Sequence, residues 1–264
     1  MRRIAFSLVS VAAIAFAGLV ASAPAQAAVV NYVALGDSYA SGVGAGSYTT
    51  QSGSCMRSTK AYPRLWANAH APASFRFVAC SGAKTTDVNA NQLSALSSST
   101  TLVSITIGGN DLGFSDIMID CVVFGTDTCV SDINAAENVA RTQLPGWLDT
   151  TYNGIRAHAP NARVVVVDYP RFYHDVWYCV GLSSTSRKKI NEGADVLDSV
   201  IQQAAARHGF YFADVRPLFA NGHEICDSNS WLHSVNWSNL VESYHPTASG
   251  QSGGYLPPFT ALAG

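Results

Sequence analysis

Five short apolar runs recur along this chain at wide spacing, and the stretches between them repeat their apolar residues every three or four positions. The runs are Val30–Leu35, Ser74–Ala79, Leu102–Ile107, Arg163–Asp168 and Phe210–Val215. Tyr32–Leu35, Leu102–Ile107 and Val164–Val167 are nearly unbroken and rich in Val, Ile or Leu, as strands covered on both faces should be. The intervening segments Tyr62–His70, Asp87–Leu96, Asp132–His158 and Ser184–His208 predict helices. In the last of these, Ile190, Ala194, Leu197, Ile201 and Ala205 share one face, and His208-Gly209 supplies a stop. Strand alternating with helix predicts an α/β fold: a parallel sheet of five strands inside an α/β/α sandwich. Gly46–Lys60 and Asn221–Tyr244 follow neither period and are expected to be irregular loops that wall a site.

The first residues stand apart from this pattern. Arg2 and Arg3 precede an uncharged, mostly apolar stretch from Ile4 to Val20, and Ala25-Gln26-Ala27 is a small-x-small cleavage pattern. Residues 1–27 therefore predict a secretory signal peptide, with residues 28–264 as a single domain. A membrane anchor is the competing reading, but the Ala-rich end and Pro24 fit cleavage better. Beyond residue 27 no segment is long and apolar enough to span a bilayer, so stable membrane insertion is not expected. Removing Arg2 and Arg3 with the leader shifts the formal net charge from −2 to about −4. With 13% charged residues and no basic run longer than Arg187-Lys188-Lys189, the chain has no electrostatic footprint for nucleic acid. A secreted, extracellular monomer is the expectation.

Export changes the meaning of the six cysteines. An even number in an exported chain predicts disulfides rather than free thiols. Short loops close at the least entropic cost, which favours nearest-neighbour pairing: Cys55 with Cys80, Cys121 with Cys129, and Cys179 with Cys226. The middle pair brackets the turn-like Gly125-Thr126-Asp127-Thr128. His223-x-x-Cys226 with His233 has the flavour of a zinc site but leaves no fourth ligand in place, and Cys226 is needed for pairing. No metal and no cofactor are expected.

The candidate chemistry begins at Gly36-Asp37-Ser38-Tyr39, directly after the first apolar run. A serine on a tight strand-to-helix turn exposes its hydroxyl and leaves the following N–H groups free for an anion. Gly-Asp-Ser alone is also an ordinary turn tripeptide. Its weight comes from Gly82 after the second strand, Asn110 in Gly108-Gly109-Asn110-Asp111 after the third, and His245 in Tyr244-His245-Pro246. In an open parallel sheet these strand ends share one edge, where ligands bind. His suits the task of taking a serine proton near neutral pH. The N–H groups of Ser38 and Gly82 and the Asn110 amide suit an oxyanion. Asp37 and Asp111 are expected to bond nearby main chain rather than to act in catalysis.

On these residues, in this order and spacing, the chain resembles the SGNH (GDSL) hydrolase superfamily, and is most similar to its exported actinobacterial lipases and phospholipase A1 enzymes. The resemblance covers most of the chain after residue 27 and implies a flavodoxin-like fold. It implies Ser38 as nucleophile, His245 as base, and Ser38, Gly82 and Asn110 as the oxyanion hole. The chain departs from that pattern in the third triad member. The family usually has Asp three residues before the histidine, where this chain has Glu242. Either Glu242 orients His245 with a longer arm, or the main-chain carbonyl of Ser243 does so, as in related Ser–His dyads. The reading favours Ser243, with Glu242 as the alternative.

The implied substrate is a lipid ester, phospholipid or acylglycerol. A carbohydrate acetyl esterase is the alternative enzyme, and a non-catalytic glycan- or lipid-binding protein is the alternative of another class. The aromatic pairs Phe172-Tyr173 and Trp177-Tyr178 and the trio Trp231, Trp237 and Tyr244 are candidates either for core packing or for an acyl groove.

Overall fold

Continuous burial identifies the interior of the sheet. In the computed structural model, which describes residues 29–264, β1 (Asn31–Gly36), β3 (Leu102–Thr106) and β4 (Arg163–Val167) are buried along nearly their whole length. β2 (Ser74–Phe77) and β5 (Tyr211–Ala213) are partly exposed. The order β2-β1-β3-β4-β5 explains the contrast, because β2 and β5 are the edges. All four pairings are parallel, with Tyr32 opposite both Phe75 and Leu102, and Ile105 opposite Val166. The expected signal peptide lies outside the described residues.

The helices in chain order are α1 (Ser38–Ser41), α2 (Tyr62–His70), α3 (Thr85–Asp87), α4 (Phe114–Val123) and α5 (Thr126–Thr142). They continue with α6 (Leu144–His158), α7 (Ser184–Arg207), α8 (Arg216–Phe219) and α9 (Leu256–Ala263). α2 and α9 cover one face of the sheet, where Tyr32 meets Trp66, Phe75 and Phe259 with ring centroids 5.0–5.6 Å apart. α7, flanked by α5 and α6, covers the other. The result is a sheet of five parallel strands between two helical layers.

Several expectations change in detail. The single helix expected over Asp132–His158 is two helices, α5 and α6, parted at Gln143. Pro145 at the start of α6 has no N–H for the preceding turn, which ends α5 and begins a new helix. Asp87–Leu96 is not one helix but α3 followed by a π turn and a 3₁₀ turn. The turn expected at Gly125–Thr128 is confined to its start, because α5 already begins at Thr126. α4 and α9 carry no helical signal in the reading of apolar periodicity. α7 begins on Ser183, whose side chain accepts from the Ser186 N–H, and it stops before Gly209 in the left-handed region.

Candidate active site

Gly82, Ser38 and Asn110 follow β2, β1 and β3, which are neighbours in the sheet. Their proximity is thus a consequence of strand order. β1 ends at Gly36 with φ +124°, where a side chain would strike the Thr106 carbonyl. Gln92 pins this end, its amide accepting from Gly36 N and donating to Gly36 O, both at 2.8 Å. Asp37 caps α1 by accepting from the Tyr39 N–H at 2.9 Å, and Ser38 is the first helical residue.

The Ser38 hydroxyl lies 2.7 Å from His245 Nε2, and His245 Nδ1 lies 2.9 Å from the main-chain oxygen of Ser243. A carbonyl can only accept, so Nδ1 carries the proton and Nε2 is the free acceptor facing the serine O–H. Burial pushes the imidazole down to about 4, a shift the Ser243 hydrogen bond partly opposes and His233 slightly reinforces. The histidine loop is held by pairing with the segment before it: His233 N donates to His245 O, and Tyr244 N to His233 O. Tyr39 reaches across from α1 to donate to Tyr244 O at 2.9 Å. The Glu242 carboxylate is directed elsewhere, accepting from the Tyr48 hydroxyl at 2.6 Å.

On the other side of the serine, Gly82 has φ +78°, and a Cβ there would meet no protein atom within 4 Å. Glycine is required by the backbone angle rather than by crowding. The Cys55–Cys80 disulfide and the bond from Ser81 N to Cys55 O hold this loop. Asn110 uses one N–H to donate to Ala83 O at 3.0 Å, which fixes its amide and leaves the second N–H free. Asp111 accepts from the main-chain N–H and the hydroxyl of Thr85. Tyr169 ties the two loops together. Its hydroxyl donates to Asp37 and accepts from Gly109 N at 3.1 Å. Burial raises Asp37 to about 7, against the opposing pull of the Tyr169 and Tyr39 hydrogen bonds.

Two cavities meet at this point. The inner one, of about 720 Å³, is strongly apolar and runs from Ser38, Asn110 and His245 between α4, α5 and α7. The outer cleft, of about 1180 Å³, is more polar and carries Gly82, Asn110, Tyr244 and His245 on its walls. Of the aromatic candidates, Phe172 lines the inner cavity and Tyr244 the outer cleft, whereas Trp177, Tyr178 and Trp237 are exposed away from both linings. Most of the inner wall is aliphatic and was not singled out from the sequence. The apolar run after Asn110 was its one legible signal.

The remaining candidates have structural partners. Cys121 and Cys129 join α4 to α5, and Cys179 and Cys226 join two loops. Cys226 is therefore in a disulfide, His223 bonds the Asn229 carbonyl, and His233 bonds Gly44 O. Among the described residues no helix is long and apolar enough to cross a membrane.

Over 258 residues the chain is 57% identical to Lipase 1 of Streptomyces coelicolor, covering 97% of this chain and 96% of that protein. The crystal structure of phospholipase A1 from Streptomyces albidoflavus shares 55% identity and a TM-score of 0.88, covering 89% of this chain and 100% of that one. An extracellular lipase from Streptomyces rimosus shares 53% identity and a TM-score of 0.86, with 88% and 99% covered. The model of the GDSL-like Lipase/Acylhydrolase family matches residues 34–252. That span holds Ser38, Gly82, Asn110 and His245, and the chain belongs to this family of ester hydrolases.

Proposed function

We propose that the chain is an exported phospholipase A1 or lipase that cleaves fatty-acyl esters through an acyl-enzyme on Ser38. Residues 1–27 act as its export signal and residues 28–264 as one catalytic domain, working as a monomer without metal or cofactor. The observation that carries the reading is the 2.7 Å contact between Ser38 Oγ and His245 Nε2 at the junction of an apolar cavity and a polar cleft. An ester has the same division, with a hydrocarbon acyl tail on one side of its carbonyl and a polar alcohol on the other.

In the first step Ser38 Oγ attacks the ester carbonyl as His245 Nε2 takes its proton. The Ser243 carbonyl holds Nδ1–H and stabilises the imidazolium without supplying a full charge. Negative charge on the carbonyl oxygen is met by the N–H groups of Ser38 and Gly82 and the free N–H of Asn110. Such donors contribute about 3–4 kcal/mol each to transition-state stabilisation. The intermediate collapses as His245 returns the proton to the leaving alcohol. Water, deprotonated by the same nitrogen, then releases the fatty acid.

The test is a hydrolysis panel of phosphatidylcholine, triacylglycerol and p-nitrophenyl esters of increasing acyl length, beside Ser38→Ala. Activity on long-chain esters that vanishes in Ser38→Ala supports the reading. Activity falling steeply beyond acetyl would instead support a carbohydrate acetyl esterase. Failure of a folded protein to react with an organophosphonate at Ser38 would support a non-catalytic binder.

A further inference from the structure

The inner cavity is apolar except near Ser38 and at one other place, the carboxylate of Glu137 on α5. Where α5 and α7 face each other, Ala136, Gly193 and Ala194 are too small to fill the space between the helices, and Ile133 and Ile190 line it. The fit is already tight at Gly193, where a Cβ would come within 2.9 Å of Ile133. Glu137 is buried, and Lys189 of α7 donates to it at 2.7 Å. Arg141 approaches its other oxygen at 3.5 Å, and Lys189 also meets Glu192 at 3.2 Å. The side chains of Arg141 and Glu192 are 53% and 57% exposed, against 12% for Lys189. The Glu137–Lys189 pair therefore stands between the apolar lumen and the outer surface.

We infer that the Glu137–Lys189 ion pair is the end stop of the acyl pocket and sets the chain length at which the enzyme ceases to gain from a longer fatty acid. The inference rests on the reading of the inner cavity as the acyl site. Each methylene that slides into apolar lumen leaves water and adds about fourfold to kcat/KM. A tail that reaches the pair must strip hydration from two charges or part them, and either outcome opposes further burial. The dependence on acyl length then climbs and breaks at the length that touches Glu137. Glu137 and Lys189 act here as specificity determinants without touching the reacting carbonyl.

The experiment is a profile of kcat/KM against acyl length with p-nitrophenyl esters from acetyl to stearoyl. It compares the wild-type protein with Glu137→Leu/Lys189→Leu, which removes both charges together, and with Ala194→Leu, which narrows the lumen. The double substitution is expected to move the break to longer chains and to raise the long-to-short ratio by about tenfold or more. Ala194→Leu is expected to move the break to shorter chains. Should the double variant not fold, Glu137→Gln keeps the shape, weakens the pair, and is expected to shift the break in the same direction by less. Profiles that scale together at every length, with the break unmoved in folded variants, overturn the end stop while leaving the lipid-ester reading intact. A wild-type profile that falls beyond acetyl overturns both.

Discussion

The Nδ1 atom of His245 lies 2.9 Å from the main-chain oxygen of Ser243, while the nearest acidic side chain in sequence, Glu242, accepts from Tyr48. A neutral carbonyl thus holds the imidazole in the tautomer the proposed mechanism needs. Tyr48 also accepts from Gly44 N at 2.9 Å, so the Glu242–Tyr48 pair braces the loop that follows α1.

Glu242→Ala is accordingly expected to lower kcat by less than about tenfold, a change of under ~1.4 kcal/mol in the barrier. Its main effect is a modest loss of stability from the unsupported Tyr48. Steady-state kinetics on a short p-nitrophenyl ester decides the matter, since loss of several orders of magnitude would make the carboxylate essential.

The acid limb of kcat/KM is expected near pH 4 rather than near the ordinary histidine value of 6.5, because burial holds His245 down to about 4. Above that pH the imidazole is neutral and can take the Ser38 proton. Below it, activity falls about tenfold per pH unit. The linked stability follows the same direction: it is fully present above 6.5 and is lost as pH falls through 4, because the unfolded chain takes up the proton first. Asp37, raised by burial to about 7, is the other titrating group of this loop, and Asp37→Asn should leave the limb near 4 in place. A limb that stays at 6.5 in both proteins would show that the imidazole is freely solvated during the reaction.

Tyr169→Phe removes the hydroxyl that joins Asp37 to Gly109 N, and with it the tie between the Ser38 and Asn110 loops. Misplacing reacting groups by about 1 Å can cost about 100-fold. A fall in kcat of about tenfold or more is expected, with KM little changed. Equal kcat in the two proteins would mean that the loops hold their spacing without this hydroxyl.

Asp168 and Asp198 are fully buried, and burial pushes both well above the ordinary carboxylate range, Asp168 being raised further by Asp198. Arg216 approaches them at 3.4 and 3.8 Å. Groups raised on folding contribute stability that is present below the ordinary value of 3.8 and is lost as pH rises through the elevated one. Asp198→Asn keeps an oxygen for the Tyr169 N–H bond, made at 3.1 Å, and removes one of the two acids. Its melting temperature should decline less between about pH 5 and pH 9 than that of the wild-type protein. Parallel curves would assign the alkaline loss to other groups.

Tyr32–Leu35, Leu102–Ile107 and Val164–Val167 were readable as strands because a strand buried on both faces leaves an unbroken apolar run in the chain. Ser38, Gly82 and Asn110 were readable as candidates because each follows such a run or its neighbour, and parallel strands deliver their ends to one edge. The α5–α6 break was missed, although Pro145 marks it. Gln92 and Tyr169 carried no local sign of their roles, since each acts on main chain or side chain far away in sequence.

The sequence by itself determined the strand and helix alternation, the even set of cysteines, and the residues that can supply a nucleophile, a base and oxyanion donors. These follow from local periodicity and side-chain chemistry, which are properties of neighbours along the chain. Tertiary structure alone decided which group faces Nδ1 of His245, and that Ala136, Gly193 and Ala194 line open space rather than a packed core. Both depend on where separate elements come to rest against each other. At that scale a rotation of one side chain or the gap between two helices outweighs any preference written into a single segment.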